Sequence, residues 1–398
     1  MFINKEIMNN KRKILFVTGA RSEYDIMQPV LEILNECEDV SLKLVVTGAH
    51  LSETFGKTIK NIEQDGFEIA DRIYNLISTE DKIGRVAGIG SQITGLAHTF
   101  VREQPDIVVV VGDREEAISV SLTAAYLSIP VAHLAGGDIA NDGNIDNAVR
   151  YATTKFAHIH FTFLEQHAKV IRLLGEDEFR IFNTGNPSLD KFINCPLLKR
   201  EEIKPLENFI NGDERYIVLI QHPIITETAD AGSQIIQTLE AVIASGVKCF
   251  INYPNSDAGN FAIIEMINQY SQQYPEIFRL FKNLDRLNYI NLLRNASCLI
   301  GNSSSGILEA PSIGLPVVNI GSRQRERFSA GNVIYTDYDK DEILNAIQKS
   351  IFDETYRAGV KSIVNPYGTG NSAGKISEVL RTIKIDDKLI YKNITYQL

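Results

Sequence analysis

The chain has 398 residues, 44% hydrophobic and 23% charged, with a formal net charge of −10. That is apolar material for two ordinary cores, and the acidic balance argues against a nucleic-acid-binding face while still permitting a locally basic pocket. Cys37, Cys195, Cys249 and Cys298 stand apart with no CxxC pair, so neither a disulfide framework nor a zinc site is expected. The amino end lacks the long apolar segment of a signal peptide and no stretch reaches transmembrane length, which makes the cytoplasm, away from any membrane, the expected setting.

The first predicted element is a buried strand over Ile14–Val17, in KRKILFVTGARSEYDIMQPVLEIL. It breaks at Thr18 and Gly19 into a polar turn holding Arg21, Glu23 and Asp25, and a helical pattern resumes through Ile26, Val30, Leu31 and Leu34. Further strands are expected at Leu42–Thr47, Ile107–Val111, Val131–Leu134, Ile159–Phe163 and Ile181–Thr184, with amphipathic segments such as Glu115–Leu127 and Asn147–Ala157 between them. Strands that are apolar throughout suit a parallel sheet covered on both faces, and their alternation with helices gives βαβ units. The rhythm weakens over 194–214, a charged stretch with Pro196, Pro205 and Gly212 that reads as a linker. It restarts with YIVLIQHP, VKCFINYP, FRLFKNL, CLIGNSSSG, PVVNIGSR and VIYTDY. The expected fold class is α/β, two Rossmann-like doubly wound domains facing a cleft. The N-terminal domain covers 1–187 and the C-terminal domain 188–375. The tail over 376–398 has packing back onto the first domain as one arrangement, and the helical pattern Ser372–Ile383 fits either domain.

In open parallel sheets, ligands bind outside the carboxyl ends of the strands. Polar segments recur at those places: TGARSEY, GDREE, AGGD, QHP, YPNSDAG and GNSSSG. The last, in IGNSSSGILEA, offers backbone N–H groups and hydroxyls to a phosphate as a strand passes into a helix, with Glu309 within two turns. An ordinary capped turn explains the same residues about as well. It is neither a Walker motif nor GxGxxG, so a nicotinamide cofactor has no support. Arg21, Arg114 and Arg323 each follow a strand. Singly they are surface arginines, but together they suit a diphosphate. Asp113, Asp138 and Asp146, with Glu116 behind the first, form an acid–base set whose mutual repulsion can raise a carboxyl pKa. A bare N-terminal cap is the plainer role for Asp146. His222 in QHP stands evenly between a structural and a functional role, and His158 and His160 alternate along a strand as packing residues rather than metal ligands.

Taken in order, VTGARSEYDIMQP, GDREE, GGD with NIDNAVRYATTKFAH, QHP, PNSDAG, IGNSSSGILEA and GSRQRER resemble the UDP-N-acetylglucosamine 2-epimerases. The likeness runs over roughly 12–370 and is nearest the hydrolysing branch that makes N-acetylmannosamine for sialic and related nonulosonic acids, since Arg-Ser-Glu-Tyr replaces the Gly-Thr-Arg-Pro-Glu of non-hydrolysing relatives. The resemblance implies a GT-B-like fold closing on a UDP-sugar, with no metal and no cofactor, and commonly a homo-oligomer. It implies UDP contacts from Arg21, Arg114, His222, Asn255, Ser303, Ser304, Glu309 and Arg323, and a backbone contact to uracil at Leu284. It implies catalysis by Asp113, Asp138 and Asp146; His222 is a further catalytic candidate, and Glu116 and Arg150 are sugar-pocket candidates. The reaction implied converts UDP-N-acetylglucosamine and water to N-acetylmannosamine and UDP, by elimination of UDP and hydration of a 2-acetamidoglucal.

The sequence departs from the family near the sugar. Asp138 stands where glutamate is usual, Asn147 and Tyr151 replace an aspartate and a histidine, and the DIANDGNID loop is about two residues longer. These changes leave the UDP expectation intact and open the sugar's identity. One alternative keeps the chemistry on a UDP-linked 2,4-diacetamido-2,4,6-trideoxy hexose. Others are a GT-B UDP-sugar glycosyltransferase, which needs an acceptor but no carboxylate cluster, and a sugar-nucleotide sensor that binds without turnover.

Overall fold

In the computed structural model, residues 11–77, 82–138, 145–255, 257–282 and 284–393 are described. They fall into two compact units, one made of Met1–Lys191 with Gly370–Leu398 and the other of Phe192–Thr369.

The first unit runs β1 (Arg12–Thr18), α1 (Arg21–Glu36), β2 (Val40–Thr47), α2 (Ile59–Gln64), β3 (Ile69–Ile73), α3 (Lys82–Glu103), β4 (Ile107–Val111) and α4 (Glu115–Tyr126). It continues with β5 (Val131–Leu134), α5 (Asp146–Phe156), β6 (Ile159–Thr162), α6 (Glu165–Leu173), β7 (Ile181–Asn183) and α7 (Ser188–Ile193), whose last two residues belong to the second unit. Its seven strands are parallel in the order β3-β2-β1-β4-β5-β6-β7. Strand β4 is buried along its whole length, as its unbroken Val and Ile content requires, and β1 is buried from Ile14 to Thr18. Strand β3 was not expected from the sequence, because IADRI carries Asp71 and Arg72 at a sheet edge and reads as polar.

The turn expected at Arg21, Glu23 and Asp25 is instead the first turn of α1. Glu23 reaches back to accept from the N–H groups of Gly19 at 2.7 Å and Ala20 at 3.2 Å, so helix begins directly behind the strand.

The second unit holds β8 (Tyr216–Ile220), α8 (Ala231–Ser245), β9 (Lys248–Asn252), α9 (Asn260–Gln273), β10 (Phe278–Phe281), α10 (Arg286–Asn295), β11 (Cys298–Gly301), α11 (Ser305–Leu308), β12 (Val317–Ile320), β13 (Val333–Thr336), α12 (Lys340–Phe352) and α13 (Glu354–Lys361). Its six parallel strands lie in the order β10-β9-β8-β11-β12-β13. The expected linker over 194–214 is part of this unit: Ile203, Leu206 and Phe209 are buried in its core among Tyr216, Phe250 and Leu293. Charge on the outer face of these short turns masks the apolar anchors between them.

The chain then returns to the first unit as α14 (Ser372–Thr382) and α15 (Asp387–Ile390). Ala373, Ile376 and Leu380 join the core that lines α1 and β2. Arg12 caps the end of α14 by donating to the Leu380 and Ile383 carbonyls at 3.0 and 2.8 Å. In each sheet the strand order reverses at one point, between β1 and β4 in the first unit and between β8 and β11 in the second. Ligand sites of doubly wound sheets lie at the carboxyl side of such points.

Candidate active site

In the first unit, Asp113 leaves β4 through Gly112 and meets the guanidinium of Arg150, which projects from α5. Arg150 is 6% exposed, and it also donates to the Asp138 carbonyl at 2.6 Å and to Asn147 Oδ1 at 3.2 Å. One arginine therefore ties the β4 loop, the β5 loop and α5 together. Burial raises the pKa of Asp113. Arg150 opposes that rise, while the charges of Asp146 and Asp138 reinforce it. Asp146 is the first residue of α5, one past the N-cap position, which Ile145 occupies. It is placed where the helix dipole favours a carboxylate.

The β5 loop is shaped by close packing. Gly137 has φ of +79°, and a Cβ there would overlap the His167 carbonyl of α6. Asp138 consequently lies 3.4 Å from His167 Nε2. Burial lowers the His167 pKa, with Asp138 pulling the other way. His133 is wholly buried and its pKa is pushed down to about 3 by burial, so the ring is neutral. It meets the Gly112 carbonyl at 2.7 Å, holding the turn that presents Asp113. The 139–144 part of the lengthened loop lies outside the described residues.

Behind this group, Arg114 Nε stands 3.5 Å from Glu116 Oε2. Glu116 and Glu23 are both buried, and burial raises the pKa of each. For Glu23 the neighbouring Glu116 charge adds to the rise. Glu116 thus lies beneath the site as a partner of Arg114. Arg21 is mostly exposed on α1 and paired with Asp25 at 3.2 Å.

The second unit carries a separate cluster at its own switch point. Gly301 has φ of +112°, and a side chain there would strike the Ile220 carbonyl, so β11 and β8 can part only with glycine at this place. The next residue, Asn302, is fully buried. It accepts from the His222 N–H at 2.7 Å, donates to the His222 carbonyl at 2.8 Å, and its own carbonyl receives Arg323 Nη1 at 3.1 Å and Gln324 Nε2 at 3.2 Å. The Asn255 N–H donates to His222 Nδ1 at 3.0 Å, which leaves the ring proton on Nε2. Burial, then the Arg323 charge, lowers the His222 pKa to about 4. The ring is thus a neutral donor near pH 7.

Ser303 and Ser304 lead into α11, which is a single turn ending at Leu308, shorter than the helix expected there. Its dipole is correspondingly small, and the loop presents N–H groups and hydroxyls instead. Ser305 donates to Glu309, whose pKa burial raises, and Tyr289 Oη lies 3.4 Å from Ser305 Oγ. Leu284 packs half-buried beside the N-terminus of α10. The structure thus gathers Asp113, Asp138, Asp146 and Arg150, with Arg114 and Glu116 behind, in one unit. It gathers His222, Asn255 and Arg323 beside the serine turn in the other. His133, His167, Asn302 and Gln324 were not singled out from sequence. Asn302 sits inside a quoted motif, but nothing local marks its side chain as the clamp on the His222 backbone or its carbonyl as the acceptor of Arg323 and Gln324.

Among the described residues no helix is long and apolar enough to cross a membrane. A family profile for UDP-N-acetylglucosamine 2-epimerase matches residues 32–381. The UDP-N,N'-diacetylbacillosamine 2-epimerase (hydrolyzing) of Legionella pneumophila is 34% identical over 97% of this chain and 100% of its own length. The UDP-N-acetylglucosamine 2-epimerase of Neisseria meningitidis is 31% identical over 87% of this chain and 91% of its own. A crystal structure of the Neisseria meningitidis UDP-GlcNAc 2-epimerase bound to UDP-GlcNAc superposes with a TM-score of 0.73 at 21% identity, covering 92% of this chain and 99% of that one. That likeness gives the fold as GT-B-like. With two doubly wound sheets, polar clusters at both switch points and a profile match across most of its length, the chain belongs to the UDP-N-acetylglucosamine 2-epimerase family.

Proposed function

We propose that the protein is a hydrolysing 2-epimerase of a UDP-linked 2-acetamido sugar. The observation that carries this reading is the Asp113–Arg150 pair at the carboxyl end of β4, with Asp138 and Asp146 acting on its charge. A half-buried carboxylate with a raised pKa, held by an arginine, suits proton transfer at carbon. In this reading a base removes the C2 proton as the C1–oxygen bond to UDP breaks, leaving a 2-acetamidoglucal. Water then supplies hydroxide to C1 and a proton returns to C2 on the opposite face, so the centre inverts. Asp113 handles one of these protons, and Asp138 and Asp146 serve the other. The Gly301–Ser304 turn, the His222 Nε2–H donor and Arg323 receive the diphosphate, and Glu309 the ribose.

Two sugars fit. UDP-N,N'-diacetylbacillosamine comes first, because the Legionella relative, matched over its whole length, carries that activity in its name. UDP-N-acetylglucosamine is second, on the name of the Neisseria relative. The test is NMR of the products formed from each nucleotide in D₂O. Deuterium at an inverted C2, with one free UDP per sugar and no acceptor, is expected. A released sugar that keeps its C2 proton and configuration overturns the reading in favour of plain hydrolysis.

A further inference from the structure

Helix α5 brings Asp146 and Arg150 to the site, and its placement along its own axis decides where the Arg150 guanidinium meets Asp113 and the Asp138 carbonyl. The far end of that helix is held by a residue near the end of the chain. The ammonium of Lys392 lies 3.2, 2.9 and 2.5 Å from the carbonyl oxygens of Thr154, Lys155 and Ala157, and 2.7 Å from Glu176 Oε2. Those carbonyls are the unsatisfied acceptors and negative end of the helix, where a cation is favoured. Glu176, its side chain 1% exposed, also takes Lys155 at 2.7 Å and His160 Nε2 at 3.2 Å. The residues leading to Lys392 are fixed in turn by the buried Arg180. It donates to the Leu389, Lys388 and Tyr391 carbonyls at 2.6, 2.8 and 3.0 Å.

We propose that Lys392 is a positioning residue for the Arg150–Asp113 pair, acting through α5, so that the C-terminal tail sets the turnover rate without touching substrate. The proposal rests on the assignment of Asp113 and Arg150 above. Asp146 at one end and Lys392 at the other match the two ends of the helix dipole, so the helix is fixed along its axis by opposite charges. The helix end does not need Lys392 to close, since the Ala157 N–H already bonds the Thr153 carbonyl at 2.9 Å. What the ammonium adds is attachment of that end to Glu176 and to the tail.

The charged and titratable groups facing Lys392 are Glu176, Lys155, Arg180, His158, His160 and His133. Burial lowers its pKa to about 8, with Glu176 opposing that fall and Lys155 and Arg180 adding to it. The folded protein therefore releases this proton at a lower pH than the unfolded chain does. Raising the pH from about 8 toward the ordinary lysine value costs no stability through this group. An alkaline fall in kcat should thus appear while the protein stays folded.

The experiment compares wild type, Lys392→Met and Lys392→Arg in turnover of UDP-N,N'-diacetylbacillosamine and UDP-N-acetylglucosamine, across pH 6–10, beside thermal melts. Lys392→Met is expected to lower kcat about tenfold at pH 7, leave KM within about twofold and lose the alkaline limb. Lys392→Arg should restore kcat and carry the limb to higher pH. Unchanged kcat and limb in Lys392→Met overturns the proposal. Should that variant not fold, Lys392→Arg decides, since a limb still at its wild-type position overturns the proposal equally. Asp113→Asn is run alongside. If it too is fully active, the assignment of the pair has failed, and if it is inactive while both Lys392 variants behave as wild type, only the positioning role has.

Discussion

Burial pushes the Asp113 carboxyl above the ordinary aspartate range, and Arg150 holds it back against the reinforcing charges of Asp146 and Asp138. Taken as the base that removes the C2 proton, Asp113 must be ionised to act, so kcat is expected to fall on the acid side as it gains its proton. Asp146→Asn removes a neighbouring negative charge, which lowers the Asp113 pKa and should move the acid limb of the remaining activity to lower pH. Asp113→Asn should lower kcat by about 10²–10⁴-fold, the usual contribution of one general acid or base. A pH–rate profile of the three proteins checks both, and an acid limb that stays put in Asp146→Asn detaches it from Asp113. The residues of this group were legible because GDREE and AGGD stand directly behind apolar strands. The clamps were not. His133 and Asn302 act through burial and contacts more than twenty residues away in sequence, to the Gly112 carbonyl and the His222 backbone, and no spacing rule marks such contacts.

At the scale of elements, strands apolar throughout, such as IVVVV, were found nearly to the residue, whereas the edge strand IADRI was not. Continuous burial on two faces writes itself into composition, and an edge exposed to water does not. The same reason hid the packed turns over 194–214. The return of the chain also depends on a contact that local sequence cannot announce. Asp190 in α7 accepts from the N–H groups of Ser372 and Ala373 at 3.0 and 2.7 Å, capping the first turn of α14 from 182 residues upstream. Lys191 is the last residue before the crossing out of the first unit and Gly370 the first after the return, so this bond buckles the two passages together. Asp190→Ala leaves two buried donors unsatisfied and should cost about 1–3 kcal/mol in denaturant unfolding. Asp190→Asn keeps an acceptor and should cost less. Equal stability of Asp190→Ala and wild type would show that water satisfies those donors.

Across the whole molecule, two sheets of the same winding carry different chemistry at equivalent places. The first has carboxylates around Arg150, and the second has N–H groups, hydroxyls and a neutral histidine around Arg323. Each sheet has its own apolar clusters, so each can hold its cluster of polar groups without help from the other's core. This division predicts that nucleotide affinity and turnover separate by unit. UDP at about 100 times its Kd should stabilise the native protein by about 2.7 kcal/mol, the linkage value for a single site. Arg323→Ala removes the planar donor expected to meet the diphosphate and should abolish most of the UDP-induced rise in Tm. Asp113→Asn should keep the full rise while turning over poorly, because the leaving group does not depend on that carboxylate for its grip. Differential scanning calorimetry with and without UDP reads both variants directly. A rise lost equally in both would mean that UDP is gripped through the carboxylate cluster as well, and the assignment of nucleotide to one unit and proton transfer to the other would fall.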